Sequence, residues 1–330
     1  MTQGSPVNGV APARRSFWPF IILILLVISL VINCALLLML AGAKALEKTF
    51  AGSTRVQRLI IHHGGPDAVA VISVTGLIDG STVTQVADDI RVVEKSGHIR
   101  AVVLRVDSPG GGVTDADEIY HDLMKLRTAG FPIVVSMGAM AASGGYYVSM
   151  AGERIFAEPT TVTGSIGVML PGFQLTGLLK KLGIKPEFIT STPAVWKEAG
   201  SPFSDFTPAV KTYLQNLLNV DDARFEQIVA AGRGAALKEP IAAVANGKIW
   251  AAQEALKMGL VDKIGYLDTA CHQAAKLAGI YNPTIIRLEP PANILSAIGI
   301  TAPVGKPVME ISPGAIYALA CPKFEYLAIP

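Results

Sequence analysis

Charged side chains and cysteines are both scarce in this chain of 330 residues. Only 16% of the residues are charged, the net charge is +2, and no run of lysine or arginine is interleaved with aromatic residues. Because a nucleic-acid partner requires a strong positive field, this composition argues against one. The three cysteines, Cys34, Cys271 and Cys321, lack metal-like spacing, so no cofactor is indicated. A disulfide between Cys271 and Cys321 remains open.

Apolar residues are in excess, at 51% of the total, and much of the excess lies near the N-terminus. Residues 17–41 carry no charge and, as a helix, are long enough to span the ~30 Å hydrocarbon core of a bilayer. Arg14 and Arg15 precede them, so the positive-inside rule keeps the short N-terminus in the cytoplasm. We therefore predict a single-pass protein of the cell's inner membrane, with the remaining residues in the periplasm or otherwise outside the cytoplasm. The sequence Ala41-Gly42-Ala43 resembles a signal-peptide cleavage site, so removal of the segment is the alternative.

The composition divides the chain into five parts. A tail rich in small residues and proline, expected to be disordered, precedes the anchor, and a stalk of mixed charge follows it. Alternating strands and helices then form the main domain, and a proline-rich tail whose structure the sequence does not define ends the chain. The predicted bounds are 1–16, 17–41, 42–66, 67–280 and 281–330.

Short runs of β-branched residues alternate with amphipathic helices through the main domain. Strands are predicted at 68–75, 100–106, 132–136, 154–156, 166–169 and 185–189. Helices are predicted at 81–94, 114–128, 207–231, 252–258 and 267–278, with a further short helix beginning between 139 and 151. Apolar strands that alternate with helices are typical of an α/β fold with a parallel sheet.

Two glycine-rich segments follow predicted strands and are candidates for chemistry. Asp107-Ser-Pro-Gly-Gly-Gly112 can bring its backbone close to a ligand and turn N–H groups outward, although a tight turn has the same composition. The segment 138–147 places Ser143 among small residues where a strand gives way to a helix. A nucleophile requires this unshielded setting, whereas a serine that merely caps a helix is common.

A nucleophilic serine requires a base, and no histidine of the chain lies in a glycine-rich or strand-end context. A Ser-His-Asp triad with His98 or His121 therefore remains open but is not favoured. Lysine is the alternative, because a neutral amine accepts a proton and burial favours the neutral form. Lys197 follows Val195 and Trp196, which are able to supply apolar cover.

Five segments, in this order along the chain, resemble motifs of the signal peptide peptidase A family. They are Arg105-Val-Asp-Ser-Pro-Gly-Gly111, Ala142-Ser-Gly-Gly-Tyr-Tyr147, Thr163-Gly-Ser-Ile-Gly-Val168, Lys197-Glu-Ala-Gly-Ser-Pro202 and Ala245-Asn-Gly-Lys-Ile-Trp250. The resemblance covers residues 68–280 and one copy of the catalytic unit, as in the short form of the family. It implies a crotonase- and Clp-protease-like fold. The chain departs mildly from the family pattern at Asp107, where asparagine is more frequent, and at Glu198, where the family has aspartate.

The resemblance implies a serine endopeptidase of family S49 that uses a Ser–Lys dyad. Ser143 would be the nucleophile, Lys197 the general base, and Ser165 the residue that orients the lysine amine. The implied substrates are hydrophobic peptides, such as signal peptides that remain in the membrane after secretion. Short members of the family form octamers in which adjacent protomers supply the serine and the lysine, so a homo-oligomer is expected.

The resemblance also assigns the oxyanion hole to backbone N–H groups of Gly110 or Gly111 and of Gly144. Such a donor typically stabilises the transition state by ~2.7–4 kcal/mol. Two other classes of protein are considered beside the peptidase. One is an acyl-CoA enzyme, which shares the fold and the glycine-rich hole. The other is a catalytically inactive membrane scaffold.

Overall fold

A computed structural model describes residues 56–290 and 325–327, together with scattered positions between 23 and 37. The chain divides into two units, Met1–Thr54 and Arg55–Pro330, and the described positions of the first unit are helical. Within the described residues, no helix combines the length and the apolarity needed to cross a membrane. The predicted tail 1–16, most of the predicted anchor and much of the stalk lie outside the described residues.

The second unit is an α/β fold. Its strands are β1 (Gln57–His62), β2 (Ala68–Ile78), β3 (Ile99–Gly112), β4 (Ile133–Ala142), β5 (Arg154–Ala157), β6 (Val162–Gly164), β7 (Ile249–Ala251), β8 (Lys263–Ile264), β9 (Thr284–Glu289) and β10 (Glu325–Leu327). Its helices are α1 (Gly80–Lys95), α2 (Val113–Thr128), α3 (Gly144–Ser149), α4 (Thr176–Lys181), α5 (Pro208–Arg233), α6 (Ile241–Val244), α7 (Ala252–Met258) and α8 (Leu267–Leu277).

The strands form one sheet of mostly parallel strands, in the order β1-β9-β2-β3-β4-β5-β8. The predicted α/β class with a mainly parallel sheet is therefore confirmed. Three pairings are antiparallel: β1 with β9, β6 with β7, and β10 with the end of β3. The sheet reaches beyond the range 67–280, since β1 comes from the predicted stalk and β9 from the predicted C-terminal tail.

Two apolar layers cover the sheet. Alternate residues of β2, such as Ile72 and Val74, join a large core with Ile119 of α2 and Phe225 of α5. The intervening residues, such as Val71, join a smaller core against α8. Burial on both faces explains why the central strands are nearly continuous apolar runs, which made them recognisable in the sequence.

Two predicted strands are wrong. Residues 166–169 and 185–189 are not strands in the structure, and the sheet instead contains β6 just before the first of these segments. Gly164 and Gly167 adopt positive φ values of 87° and 159°, which redirects the backbone after β6. In the second segment Ile189 is 99% exposed and lies on the surface rather than in a strand of the core.

Asp89 of α1 is a buried acid whose carboxylate oxygens both lack a hydrogen-bond partner in the structure. Burial raises its pKa from 3.8 to about 7, and the negative charge of Asp88 adds to the rise. The folded protein therefore keeps a proton that the unfolded chain loses, so stability falls as the pH rises from about 4 to about 7.

We expect Asp89→Asn to increase the free energy of unfolding near pH 8 by up to about 4 kcal/mol, because the amide has no charge to desolvate. Near pH 4 the variant and the wild type should differ little. Urea denaturation at both pH values measures the difference, with the exposed Glu94→Gln as a control. An equal effect of Asp89→Asn at both pH values would contradict this account.

Candidate active site

Ser143 occupies the turn between β4 and α3. Its φ of 53° and ψ of −117° lie in a region that non-glycine residues seldom adopt, at a cost of about 1–3 kcal/mol. The residue is 1% exposed, and its hydroxyl makes no capping bond to α3. Ser143 Oγ is one of few buried polar atoms of the described chain without a hydrogen-bond partner. A strained strand-to-helix turn of this kind is where hydrolases present a nucleophile.

Ser165 lies beside this turn. The N–H of Ser143 donates to the carbonyl of Gly164, the residue before Ser165, at 2.8 Å. The N–H of Ser165 donates in turn to the carbonyl of Lys248 at 2.7 Å. Ser165 also has a positive φ, 51°, and is 7% exposed. The structure thus brings two of the predicted site residues together on adjacent strand ends.

The end of β3, which carries the glycine run, packs closely against β2 on one side and against α3 on the other. A Cβ on Gly111 would come within 2.0 Å of the Ile78 carbonyl oxygen, so only glycine fits there. A Cβ on Gly145, in α3, would lie 2.8 Å from the Ser108 carbonyl oxygen, which shows how closely α3 approaches β3. The run and the turn of Ser143 are therefore neighbours in the fold.

Ser108 is a member of this arrangement whose role was not predicted. Its side chain is fully buried, and its hydroxyl accepts a hydrogen bond from the N–H of Gly110 at 3.0 Å. One of the two candidate oxyanion donors of β3 is thus engaged within its own turn. In the sequence, a role for Ser108 was indicated only by its position inside the glycine motif.

Asp107 supports the strand that leads to the nucleophile. Its carboxylate accepts a hydrogen bond from the N–H of Met140 at 3.1 Å. The hydroxyl of Thr163 in β6 donates to the Ala141 carbonyl at 2.6 Å, two residues before Ser143. Since an asparagine side chain has the same acceptor oxygen, the aspartate at this position keeps the contact.

Lys197 does not join the other candidates within one protomer. It is exposed, lies in a series of turns before α5, and makes no side-chain hydrogen bond or ion pair with any described residue. Its neighbour Trp196 packs on Tyr213 of α5, with ring centroids 5.2 Å apart. The five histidines are exposed as well, and none bonds to Ser143 Oγ.

Helix α5 contacts both the residue before Lys197 and the helix that follows Ser143. Tyr147, one turn after Ser143, donates to Asp117 of α2 at 2.5 Å, and Arg224 of α5 pairs with the same carboxylate at 3.1 Å. The Tyr147 ring also packs on Phe225, with centroids 5.0 Å apart. Asp117 and Arg224 are 107 residues apart, so nothing in the sequence indicated this connection.

A pocket of about 530 Å³ adjoins Ser165. Its lining combines the apolar side chains of Val168, Met169 and Ile249 with Lys248 and two glycines. A second pocket, of about 600 Å³, lies beside α8 and is lined by none of the candidate residues. Of these two pockets, the one at Ser165 is in contact with a candidate site residue. No group of His, Cys, Asp and Glu among the described residues is arranged to hold a metal ion.

Comparison with known proteins gives matches to two family models within the α/β unit. The model of peptidase family S49 matches residues 125–281, and the model of Clp protease matches residues 67–163. A Synechocystis protein described as a protease is 38% identical over 221 residues, which make up 67% of this chain and 78% of that protein.

Two further relatives differ in length. A protein of Enterococcus faecium described as signal peptide peptidase SppA is 30% identical over 259 residues, which cover 74% of each chain. Protease 4 of Haemophilus influenzae is 34% identical over 243 residues, which are 71% of this chain and 38% of that protein. The chain thus spans well under half of Protease 4.

A mostly parallel sheet with a serine on the turn after a central strand defines a serine peptidase with a Clp-protease-like fold. With the matches to the peptidase S49 model and to a relative of similar length, the chain belongs to peptidase family S49. The expected activity, hydrolysis of peptide bonds, follows from that membership, and it favours the peptidase over the acyl-CoA enzyme and the scaffold.

Proposed function

We propose that this protein is a membrane-anchored endopeptidase that cleaves hydrophobic peptides with Ser143 as nucleophile and Lys197 as general base. The observation that carries the proposal is the buried hydroxyl of Ser143, held on a strained turn without a partner. A structural serine would be expected to satisfy its hydroxyl, because an unpaired buried polar group costs free energy. A strained residue with a free hydroxyl fits a nucleophile that awaits its base.

The proposed reaction assigns one step to each of these groups. Ser143 Oγ attacks the scissile carbonyl carbon while its proton passes to the neutral amine of Lys197. The carbonyl oxygen becomes negative and accepts hydrogen bonds from N–H groups of Gly144 and of Gly110 or Gly111. Lys197 then gives the proton to the leaving amine, and water hydrolyses the ester on Ser143.

Ser165 and Ser108 would assist these steps. Ser165 lies on the strand end beside Ser143, and its proposed role is to hold the arriving lysine amine through its hydroxyl. Ser108 accepts the hydrogen bond of Gly110 in the resting site, so a substrate oxygen would compete with it for that donor. If Gly110 remains engaged, the next N–H along β3, that of Gly111, is the alternative donor.

We further propose that Lys197 serves the Ser143 of a neighbouring protomer. Tyr213, which packs on Trp196, and Phe225, which packs on Tyr147, are 12 residues apart on α5. At ~1.5 Å per residue the helix separates these two contacts by about 18 Å. A rigid helix of this length favours a lysine that reaches across a subunit boundary over one that folds back.

The surface near Lys197 supports such an assembly. Apolar side chains of this region are exposed in a single protomer, among them Val195 (74%), Trp196 (48%) and Val220 (68%). A cluster of exposed apolar residues is typical of a protein interface. A ring of eight copies, joined by one repeated head-to-tail contact, would cover this surface and complete every site.

The proposed anchor, residues 17–41, would hold the sites beside the bilayer, with the N-terminus in the cytoplasm and the peptidase unit outside it. This location suits hydrophobic peptides released in or near the membrane, such as remnant signal peptides. The pocket beside Ser165, with Val168, Met169 and Ile249 in its lining, suits an apolar substrate side chain.

The test of this function is labelling and peptide cleavage by the full chain solubilised from membranes. A fluorophosphonate probe should modify Ser143, and an apolar fluorogenic peptide should be cut. Ser143→Gly should lose both signals yet unfold no more easily than the wild type, because glycine adopts the positive φ without strain. Ser96→Gly, outside the site, is the matched control. Retained cleavage by Ser143→Gly would exclude Ser143 as the nucleophile.

A further inference from the structure

One segment between β6 and α5 lies almost wholly on the surface of the α/β unit. In residues 171–190, called the arm, every residue is exposed except Leu175, Thr176 and Leu179, which are half-buried. The arm contains the short helix α4. It is attached to the segment before α5 through the N–H of Leu175, which donates to the Pro202 carbonyl at 2.8 Å. The described chain thus leaves most side chains of the arm uncovered.

The exposed side chains of the arm are mainly apolar or basic. Its large apolar side chains are 42–99% exposed: Phe173, Leu178, Leu182, Ile184, Phe188 and Ile189. Lysines 180, 181 and 185 lie among them in the sequence, and Glu187 is the only acid of the arm. None of the ion pairs of the described chain involves these lysines, although Glu198 and Asp205 line a pocket with Lys180. The arm therefore presents apolar groups beside unpaired positive charge.

This combination is typical of a segment that binds a bilayer surface. Apolar side chains enter the boundary between headgroups and acyl chains, while lysines keep their charge among the headgroups. An interface with another protein suits the arm less well, since lysine is depleted at such interfaces. A contact between the arms of two copies would also set lysine against lysine. Charge complementarity therefore favours a lipid surface with anionic headgroups.

The topology of the sheet agrees with a contact on this side of the unit. β6 pairs parallel with the end of β4, so the arm leaves from the carboxyl edge of the parallel strands, where Ser143 lies. β1 begins toward the same edge, because Gln57 pairs with Glu289, the last residue of β9, which runs parallel to β2. Residues 42–56 join the proposed anchor to β1. The chain thus enters the unit from the side on which the arm leaves it.

We infer that the arm is a second membrane contact of this protein and that it binds a bilayer surface containing anionic lipids. Its apolar side chains enter the headgroup boundary, and its lysines bind the phosphates of anionic headgroups. Residues 165–170 join the candidate site to the arm, so the contact keeps the site near the bilayer surface. The contact does not depend on the Ser–Lys chemistry. Only its use in receiving apolar peptides from the bilayer rests on the proposed function.

A fluorescent label on the arm of the full chain tests this contact. Gly177 of α4 is exposed and no atom lies close to the position of a Cβ, so Gly177→Cys accepts the fluorophore NBD and leaves the apolar and basic residues intact. The native cysteines are replaced with alanine, and the protein is reconstituted in vesicles of equal parts phosphatidylcholine and phosphatidylglycerol. The emission should move to shorter wavelength, and quencher groups on the acyl chains should remove most of it. Gly97→Cys, before β3 and with equally open space, is the matched control and should show neither change.

The lysines are tested in the same labelled protein. Replacing both Lys180 and Lys181 with glutamine should lower the ratio of bound to free arm about 30-fold, since each basic residue strengthens binding to an anionic surface about fivefold. The measured result is a loss of quenching. Lys276→Gln, in α8, should leave the quenching unchanged. Equal quenching in phosphatidylcholine alone, with no effect of the double variant, would overturn the assignment to anionic lipids.

Cleavage of a soluble apolar peptide by the same labelled protein separates this inference from the proposed function. If the peptide is cut but acyl-chain quenchers do not reach the label, the arm contact is refuted and the proposed function stands. A shift to shorter wavelength without such quenching would show that protein covers the arm, for example a second copy, and would also refute the contact. Quenching without cleavage would support the contact and count against the proposed function.

Discussion

Replacing Lys197 with arginine is expected to lower kcat/KM by a factor of about 10²–10⁴, the usual contribution of a general base. The reason is that arginine keeps its proton at any pH a protein tolerates and so accepts none from Ser143. Arginine preserves the positive charge and much of the length of lysine, so loss of activity would point to proton transfer rather than to charge. The measurement is the rate of cleavage of an apolar peptide by the assembled enzyme.

Lys276→Arg is the matched control for this experiment. Lys276 is an exposed lysine of α8, on the opposite face of the sheet from α3, and the same substitution there should leave kcat/KM unchanged. Near-normal cleavage by Lys197→Arg would refute the dyad. If activity is instead lost on changing His98 or His121, a histidine is the base.

Mixing two inactive variants is expected to restore activity. Ser143→Ala retains the lysine, and Lys197→Ala retains the serine. If each site takes its serine from one protomer and its lysine from the next, random reassembly of equal amounts completes about a quarter of the sites in a closed ring. The mixture should therefore recover about a quarter of the wild-type rate after joint unfolding and refolding.

The alternative arrangement makes a different prediction for the same mixture. If both residues of a site come from one protomer, no combination of the two variants completes a site, and the rate stays at the background level. Each variant refolded alone is the control for residual activity, and native mass spectrometry confirms that mixed assemblies have formed. Recovery in mixed assemblies would show that the serine and the lysine of a site come from different protomers.

The expected strands differ in how well the sequence indicated them. Ala68–Ile78 and Ile99–Gly112 are buried on both faces of the sheet, so their apolar runs were unmistakable. The edge strand Gln57–His62 is exposed along its whole length and was assigned to the stalk. The segment 166–169 has a strand-like composition, yet it leaves the sheet because of backbone turns at Gly164 and Gly167.

The features of the candidate site likewise differ in how far the sequence indicated them. The small residues around Ser143 predicted an unshielded serine at the start of a helix; the position at the helix start is confirmed, whereas the side chain is buried in the single protomer. The strain at Ser143 and Ser165 and the hydrogen bond from Gly110 to Ser108 depend on contacts between strands. Such contacts join residues far apart in sequence, so no pattern of composition reports them.

The sequence by itself determined the α/β class, the glycine motifs and the family, because each of these follows from residue types in a local order. Only the tertiary structure decided that Ser143 is buried without a partner, that Lys197 is exposed, and that Leu327 lies opposite Gly110. The physical reason is that burial and pairing are properties of the packed chain. Helix α5 is an example, because the distance that it sets between the neighbours of Lys197 and those of Ser143 exists only in the folded chain.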